Sequence, residues 1–347
     1  RIPATGKKLK FNYWLQPTTA PLVYISPGLS SHRLSSATLS VAEHLHRNGF
    51  SVVTTTSVFH PEFMENASSV ALPVYMPVDS HDLLVALTEM DKALEKKYPA
   101  RFSKKALLGC SMGGFLATRL AACENEAEPN LIKFDRYVTI NAPVDLQYGA
   151  LSVDEFYNAP LSWPAEQRQA RINNILHKGA AMRDRPNTEK SPFVFDGIES
   201  KYLIGLSFKF ALRDIIYSTQ SRDNMGVLNV PLSPWRREEA YREIMKYTFR
   251  EYFLKFAAPY YAQRGISLNE LRRQGNLRLH EAKLRNQSKM RVITNRNDFL
   301  LAPSDVSWLQ STFKPAQVKI FANGGHLGNL SSQPVKKALL DALGGLQ

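Results

Sequence analysis

Ala106-Leu107-Leu108-Gly109-Cys110-Ser111-Met112-Gly113-Gly114-Phe115-Leu116-Ala117 decides the fold: an apolar run, a glycine, a serine two residues on, two more glycines, then an Ala/Leu-rich stretch. Taken as strand, sharp turn and helix, the segment sets Ser111 at the bend. A serine hydroxyl is a poor nucleophile at neutral pH; it needs exposure, a neighbouring base and donors for a developing oxyanion. Small residues at 109 and 113 let strand and helix pass closely, and the tight turn pushes the hydroxyl out above the sheet. The five-residue pattern arises by chance in unrelated chains, so the competing reading is an ordinary glycine-rich turn. Its place between an apolar strand and a helix gives it weight.

Working outward, β-rich apolar runs recur at residues 21–26, 51–55, 105–109, 137–140, 290–294 and 318–321. Helical patterns separate the early ones: Ser40 to Asn48, Asp79 to Lys97 with Leu83, Leu84, Leu87, Met90 and Leu94 in register, and Gly113 to Cys123. Such alternation predicts a parallel sheet covered by helices on both faces. It stops after Asn141-Ala142-Pro143-Val144-Asp145 and resumes near Met290. The division expected is a core of residues 1–146 and 289–347, with residues 147–288 as a mostly helical cap inserted before the acid-bearing strand; Ala165 to His177 and Pro234 to Tyr261 are its clearest helices. An insertion there lies at the carboxyl edge of the sheet, where open α/β folds keep their ligand crevice.

The 347 residues are enough for a large α/β domain with an insertion, and 44% hydrophobic with 22% charged residues is ordinary globular composition. No apolar run is long enough to cross a membrane. The chain starts at Arg1, which leaves a removed leader, and hence cytoplasmic or exported location, open. Cys110 and Cys123 sit on a strand end and far along the next helix, so two free thiols are expected. Net charge is +13, yet no basic run interleaved with aromatics is present, which argues against nucleic acid. The excess falls partly in the insert, where Pro234-Trp235-Arg236-Arg237 and the aromatic stripe Tyr247 to Phe256 offer a cationic, apolar rim for an anionic amphiphile or a peripheral membrane contact; the plainer reading of the stripe is a helix packing its aromatic face on the core. Neither a cofactor nor a metal is called for, and the oligomeric state is not legible.

A nucleophilic serine needs a histidine base, and the base a carboxylate that fixes its tautomer. His326, in Asn323-Gly324-Gly325-His326-Leu327-Gly328 after the last strand, sits where a loop can present its ring at the sheet edge. Asp298, in Asn295-Arg296-Asn297-Asp298-Phe299-Leu300, follows the preceding strand and is the acid; Asp145 is its rival, and Asp305 is read as a helix cap before Val306. His32, His60 and His81 could line the pocket, whereas His44, His46, His177 and His280 read as solvated or packing residues. The backbone amides of Met112, after the serine, and of Leu29, in Ser26-Pro27-Gly28-Leu29, are the expected oxyanion donors.

Ser111, Asp298 and His326 in this order, with Ser26-Pro27-Gly28-Leu29 upstream and a helical insert before the acid, resemble the capped α/β-hydrolases of the serine esterase, lipase and peptidase type. The resemblance covers residues 20–145 and 289–345. It implies an eight-stranded, mostly parallel sheet and an acyl-enzyme on Ser111, released by water, with a small-molecule acyl substrate. A carboxylic ester, lipid-like ones and thioesters included, is the expected target; an amide or peptide with the same triad, or a non-catalytic scaffold that binds a ligand or membrane, are the alternatives. Many relatives carry His-Gly where this chain has Pro27-Gly28.

Overall fold

The computed structural model describes residues 1–183, 194–233 and 235–347. Seven strands form one sheet in the order β1-β3-β2-β4-β5-β6-β7. They are β1 Asn12–Trp14, β2 Ala20–Ser26, β3 Ser51–Thr54, β4 Phe102–Cys110, β5 Arg136–Ile140, β6 Met290–Asn295 and β7 Val318–Phe321. All neighbours pair in parallel except β1, which runs antiparallel to β3 with Tyr13 opposite Val53. The eight strands expected become seven among the described residues. Upstream of β2 only three residues pair, while residues 2–7 close on themselves in a turn in which Ile2 bonds Gly6 and Lys7. Three residues without alternation are too short to register as a strand in the sequence.

β2 and β3 are buried throughout and β4 from Ala106 to Cys110, and successive side chains divide between two cores. Leu22, Tyr24 and Leu107 face a cluster with Leu83, Leu87, Phe115 and Leu116. Val23, Ile25, Leu108 and Ile140 face the other with Val41, Leu45, Leu339 and Leu343. Thus α1 (Ser36–Arg47) and the helix Gln333–Ala342 cover one face; after the short α2 (Pro61–Asn66), α3 (Met76–Lys97) and α4 (Met112–Ala122) cover the other.

Between β5 and β6 the chain is helical. α5 (Leu146–Asn158) begins where Asp145 accepts the amides of Gln147 and Tyr148, an ordinary helix cap. α6 (Ala165–Arg183), α7 (Gly197–Arg222) and α8 (Arg237–Ile244) follow. α5 crosses α7 so closely that a side-chain carbon on Gly205 would collide with the Tyr157 backbone. The single helix expected from Pro234 to Tyr261 is broken. Pro234 lies outside the described residues, α8 ends at Ile244, and Thr248 starts a new helix through a reciprocal capping box with Glu251. That helix contains a π-helical turn, Tyr252–Ala257. Trp163, Ile175, Tyr202 and Leu206 form a small cluster of their own. Ile215, Ile216, Tyr252, Phe256 and Tyr261, by contrast, join the main core beneath. Asp305 lies inside its helix, Pro303–Thr312, accepting the Ala302 amide from the first turn. No described helix is long and apolar enough to cross a membrane.

Candidate active site

Ser111 joins β4 to α4 with φ 52° and ψ −118°, a conformation that costs a non-glycine residue about 1–3 kcal/mol. The flanking glycines explain how the turn closes. A side-chain carbon on Gly109 would collide with the Gly113 carbonyl, and one on Gly113 with the Ser26 carbonyl. One on Gly114 would stand 2.9 Å from Ala142 Cβ, and one on Gly28 3.2 Å from Ser111 Cβ. The sheet thus presses α4, the loop after β2 and the serine into one small volume.

His326 arrives on the loop after β7, where Gly324, Gly325 and Leu327 all have positive φ. Its Nε2 lies 2.8 Å from Ser111 Oγ, and its Nδ1 lies 2.9 and 3.1 Å from the two oxygens of Asp298. An ionised carboxylate only accepts, so Nδ1 donates to it and Nε2 is left to accept the serine proton. The Asp298 side chain is fully buried and that of His326 nearly so. Asp298 also accepts from the Leu300 amide at 3.0 Å and from Asn141 Nδ2 at 2.7 Å. Asp145, the rival acid, is spent on the start of α5 and on Asn276, whose side-chain amide donates to it at 2.9 Å.

Four asparagines that no sequence motif singles out brace this constellation. Asn141, at positive φ after β5, donates to Asp298 and to the Gly325 carbonyl. Asn295, at the end of β6, donates to the same carbonyl at 2.7 Å and exchanges hydrogen bonds with Asn329. Asn297 Oδ1 accepts from the Gly325 amide. The histidine loop is therefore tied to both neighbouring strand ends. An asparagine at the carboxyl end of each of two adjacent strands was the available signal. Phe299 and Phe208 complete the surroundings, their ring centroids 5.6 and 6.4 Å from that of His326.

His32, His60 and His81 line neither cavity at Ser111. His32 and His60 face each other with centroids 5.3 Å apart; His60 caps α2, and burial followed by the neighbouring His32 lowers its pKa. His81 is exposed toward Glu128.

Two cavities meet at Ser111. The larger, about 410 Å³, is lined by Leu29, Met112, Leu146, Phe249, Tyr252 and Leu300 among other mostly apolar side chains, with Arg250 and Arg272. The smaller, about 160 Å³, is bounded by Gly28, Ser31, Thr38, His326, Leu327 and Leu330. Ser111, Leu29 and Phe208 border both. Among the described residues the amides of Leu29 and Met112 donate to no protein acceptor. No group of three His, Cys, Asp or Glu side chains converges among them in a way that could hold a metal ion. Both cysteines are free, and burial pushes the Cys110 thiol up to about 12.

A mostly parallel sheet of this order, with a serine on the strained turn after a central strand and helices on both faces, defines the class: the chain has the α/β-hydrolase fold. No family model matches it, and no curated protein matches its sequence. Among solved structures it is similar to an enol-lactonase from Burkholderia xenovorans, at 14% identity, 97% coverage of both chains and a TM-score of 0.48. It is similar also to a proline iminopeptidase of Mycobacterium smegmatis, at 13% identity over 99% of this chain and 95% of that one, with a TM-score of 0.47. A third is Est1E of Butyrivibrio proteoclasticus bound to ferulic acid, at 13% identity over 99% and 98%, with a TM-score of 0.45.

Proposed function

We propose that the protein is a serine hydrolase that cleaves a carboxylic ester, with Ser111 as nucleophile, His326 as general acid and base, and Asp298 holding the imidazole. The observation that carries this is the single ring of His326, within hydrogen-bond reach of Ser111 Oγ on one nitrogen and of Asp298 on the other. Ser111 Oγ attacks the carbonyl carbon as its proton passes to Nε2; the carbonyl oxygen becomes an oxyanion facing the Leu29 and Met112 amides. Collapse breaks the bond to the leaving oxygen, which takes the proton from Nε2. Water then repeats the sequence on the acyl-enzyme, releasing the acid and restoring Ser111.

Residues 147–288 act in this reading as a cap, supplying Gln147, Phe208, Phe249 and Tyr252 to the walls around the serine. The cavities divide the substrate. His326 borders only the smaller one, and His326 must reach the leaving oxygen, so the leaving group belongs there and the acyl chain in the larger. No acidic side chain among the described residues lines the larger cavity, so the amino terminus of a peptide would find no counter-charge. That favours an apolar ester over a peptide. The test is covalent labelling by a fluorophosphonate: labelling of the wild type that disappears in Ser111→Ala supports the assignment, and equal labelling of both defeats it. A panel of esters graded by acyl length, with one matched anilide, then separates ester from amide cleavage.

A further inference from the structure

The larger cavity is apolar almost throughout, and among the described residues the charged side chains lining it are two arginines, Arg250 and Arg272. They come from different helices, residues 249–262 and 268–274, and both are exposed. Three arginines nearby, Arg264, Arg273 and Arg278, pair with Asp223, Glu270 and Asp305. Among the described residues neither Arg250 nor Arg272 makes an ion pair, and neither guanidinium donates a hydrogen bond. Two exposed apolar side chains, Leu151 and Leu254, share the same lining.

We infer that the acyl chain taken by this cavity is apolar along its length and ends in an oxyanion, a carboxylate or phosphate, held at the rim by Arg250 and Arg272. This rests on the assignment of the larger cavity to the acyl group. A guanidinium matches such an oxyanion with two parallel hydrogen bonds, and two of them beside low-dielectric walls concentrate anionic ligands at the entrance. The apolar lining excludes the same charge from the interior, since an ion buried there without a partner would be strongly disfavoured. Charge at the rim and hydrocarbon within therefore set the polarity of the substrate: ester end at Ser111, anionic end at the surface.

The test uses the Ser111→Ala protein, which binds without turnover, titrated calorimetrically with monomethyl octanedioate and with dimethyl octanedioate. The two share a chain and differ by one carboxylate. The Arg250→Gln/Arg272→Gln pair is expected to weaken the half-ester about tenfold, equivalent to about 1.4 kcal/mol, and to leave the diester within about twofold. The Lys pair, which keeps the charge but not the bidentate fork, retains only part of the discrimination, and added salt erodes it for the half-ester alone. Equal weakening of both ligands, or of neither, overturns the inference. So does loss of sedimentation with phosphatidylglycerol vesicles in the Gln pair while the ligand ratio stays unchanged, which would assign the arginines to a membrane surface. Absence of fluorophosphonate labelling with charge discrimination intact would instead defeat the hydrolase reading, and with it the acyl assignment, and leave Arg250 and Arg272 as an anion-binding rim of a ligand cavity.

Discussion

Asn141 Nδ2 donates to Asp298 Oδ2 across 2.7 Å, linking the end of β5 to the loop after β6. The contact is buried, and the same amide reaches the Gly325 carbonyl one residue before His326. One side chain thus orients Asp298 and the loop that carries His326.

Asn141→Ala should lower kcat about tenfold to a hundredfold with little change in KM, because a hydrogen bond to a charged group contributes about 1.5–3 kcal/mol and acts here through Asp298 and His326. Steady-state kinetics on a neutral ester decide the matter. A variant that loses KM and thermal stability alone would make Asn141 only a packing residue.

The two aspartates should separate cleanly. Asp298→Asn removes the acceptor that fixes the His326 tautomer and should cost on the order of 10^3 to 10^4 in kcat. Asp145→Ala removes a helix cap and should cost about 1 kcal/mol of stability with kcat retained. The reverse pattern would move the acid to Asp145.

Glycines at the elbow should tolerate nothing larger. Gly113→Ala would drive a methyl group into the Ser26 carbonyl and should abolish folding or lower stability by several kcal/mol. Gly197, at the start of α7, has nothing within 4 Å of an added carbon, so Gly197→Ala should be neutral or slightly stabilising. Thermal melts of the two variants side by side provide the comparison.

His280 should make the fold acid-sensitive. Burial, with the charges of Arg119 and Lys283, pulls its pKa from 6.5 to about 4. Between those values the unfolded chain binds a proton that the folded chain refuses, so stability falls as pH drops through that window and is unaffected above it. Urea midpoints at about pH 7 and about pH 5 should converge in His280→Gln relative to the wild type. An identical drop in both proteins would remove His280 as the cause.

Phe208 borders both cavities beside Ser111. Phe208→Ala should join them and admit larger leaving groups, read as a rise in kcat/KM for bulky alcohol esters relative to methyl esters. An unchanged ratio would show that the ring does not divide the site.

Much of the architecture was written locally. The Ala106–Ala117 stretch and the apolar runs of the inner strands are short-range patterns set by backbone sterics and by burial on both sheet faces, and they declared the elbow, the parallel core and the helical insertion. The positions of Asp298 and His326 just after apolar runs put both at the carboxyl edge of the sheet. Not legible were β1, three residues defined only by their partner β3, and the break before Thr248, where a capping box outweighs the continuing helical composition. Asn141, Asn295 and Asn329 lie far apart along the chain, and their hydrogen bonds exist only because parallel pairing brings the ends of β5, β6 and β7 into register. The sequence by itself determined the inner strands of the sheet, the turn at Ser111 and the residue types that could attack a carbonyl. Tertiary structure alone chose between Asp298 and Asp145 as the partner of His326, and alone made a cavity with two arginines at its rim, because distances between side chains on separate strands and helices follow from packing and from no pattern along the chain.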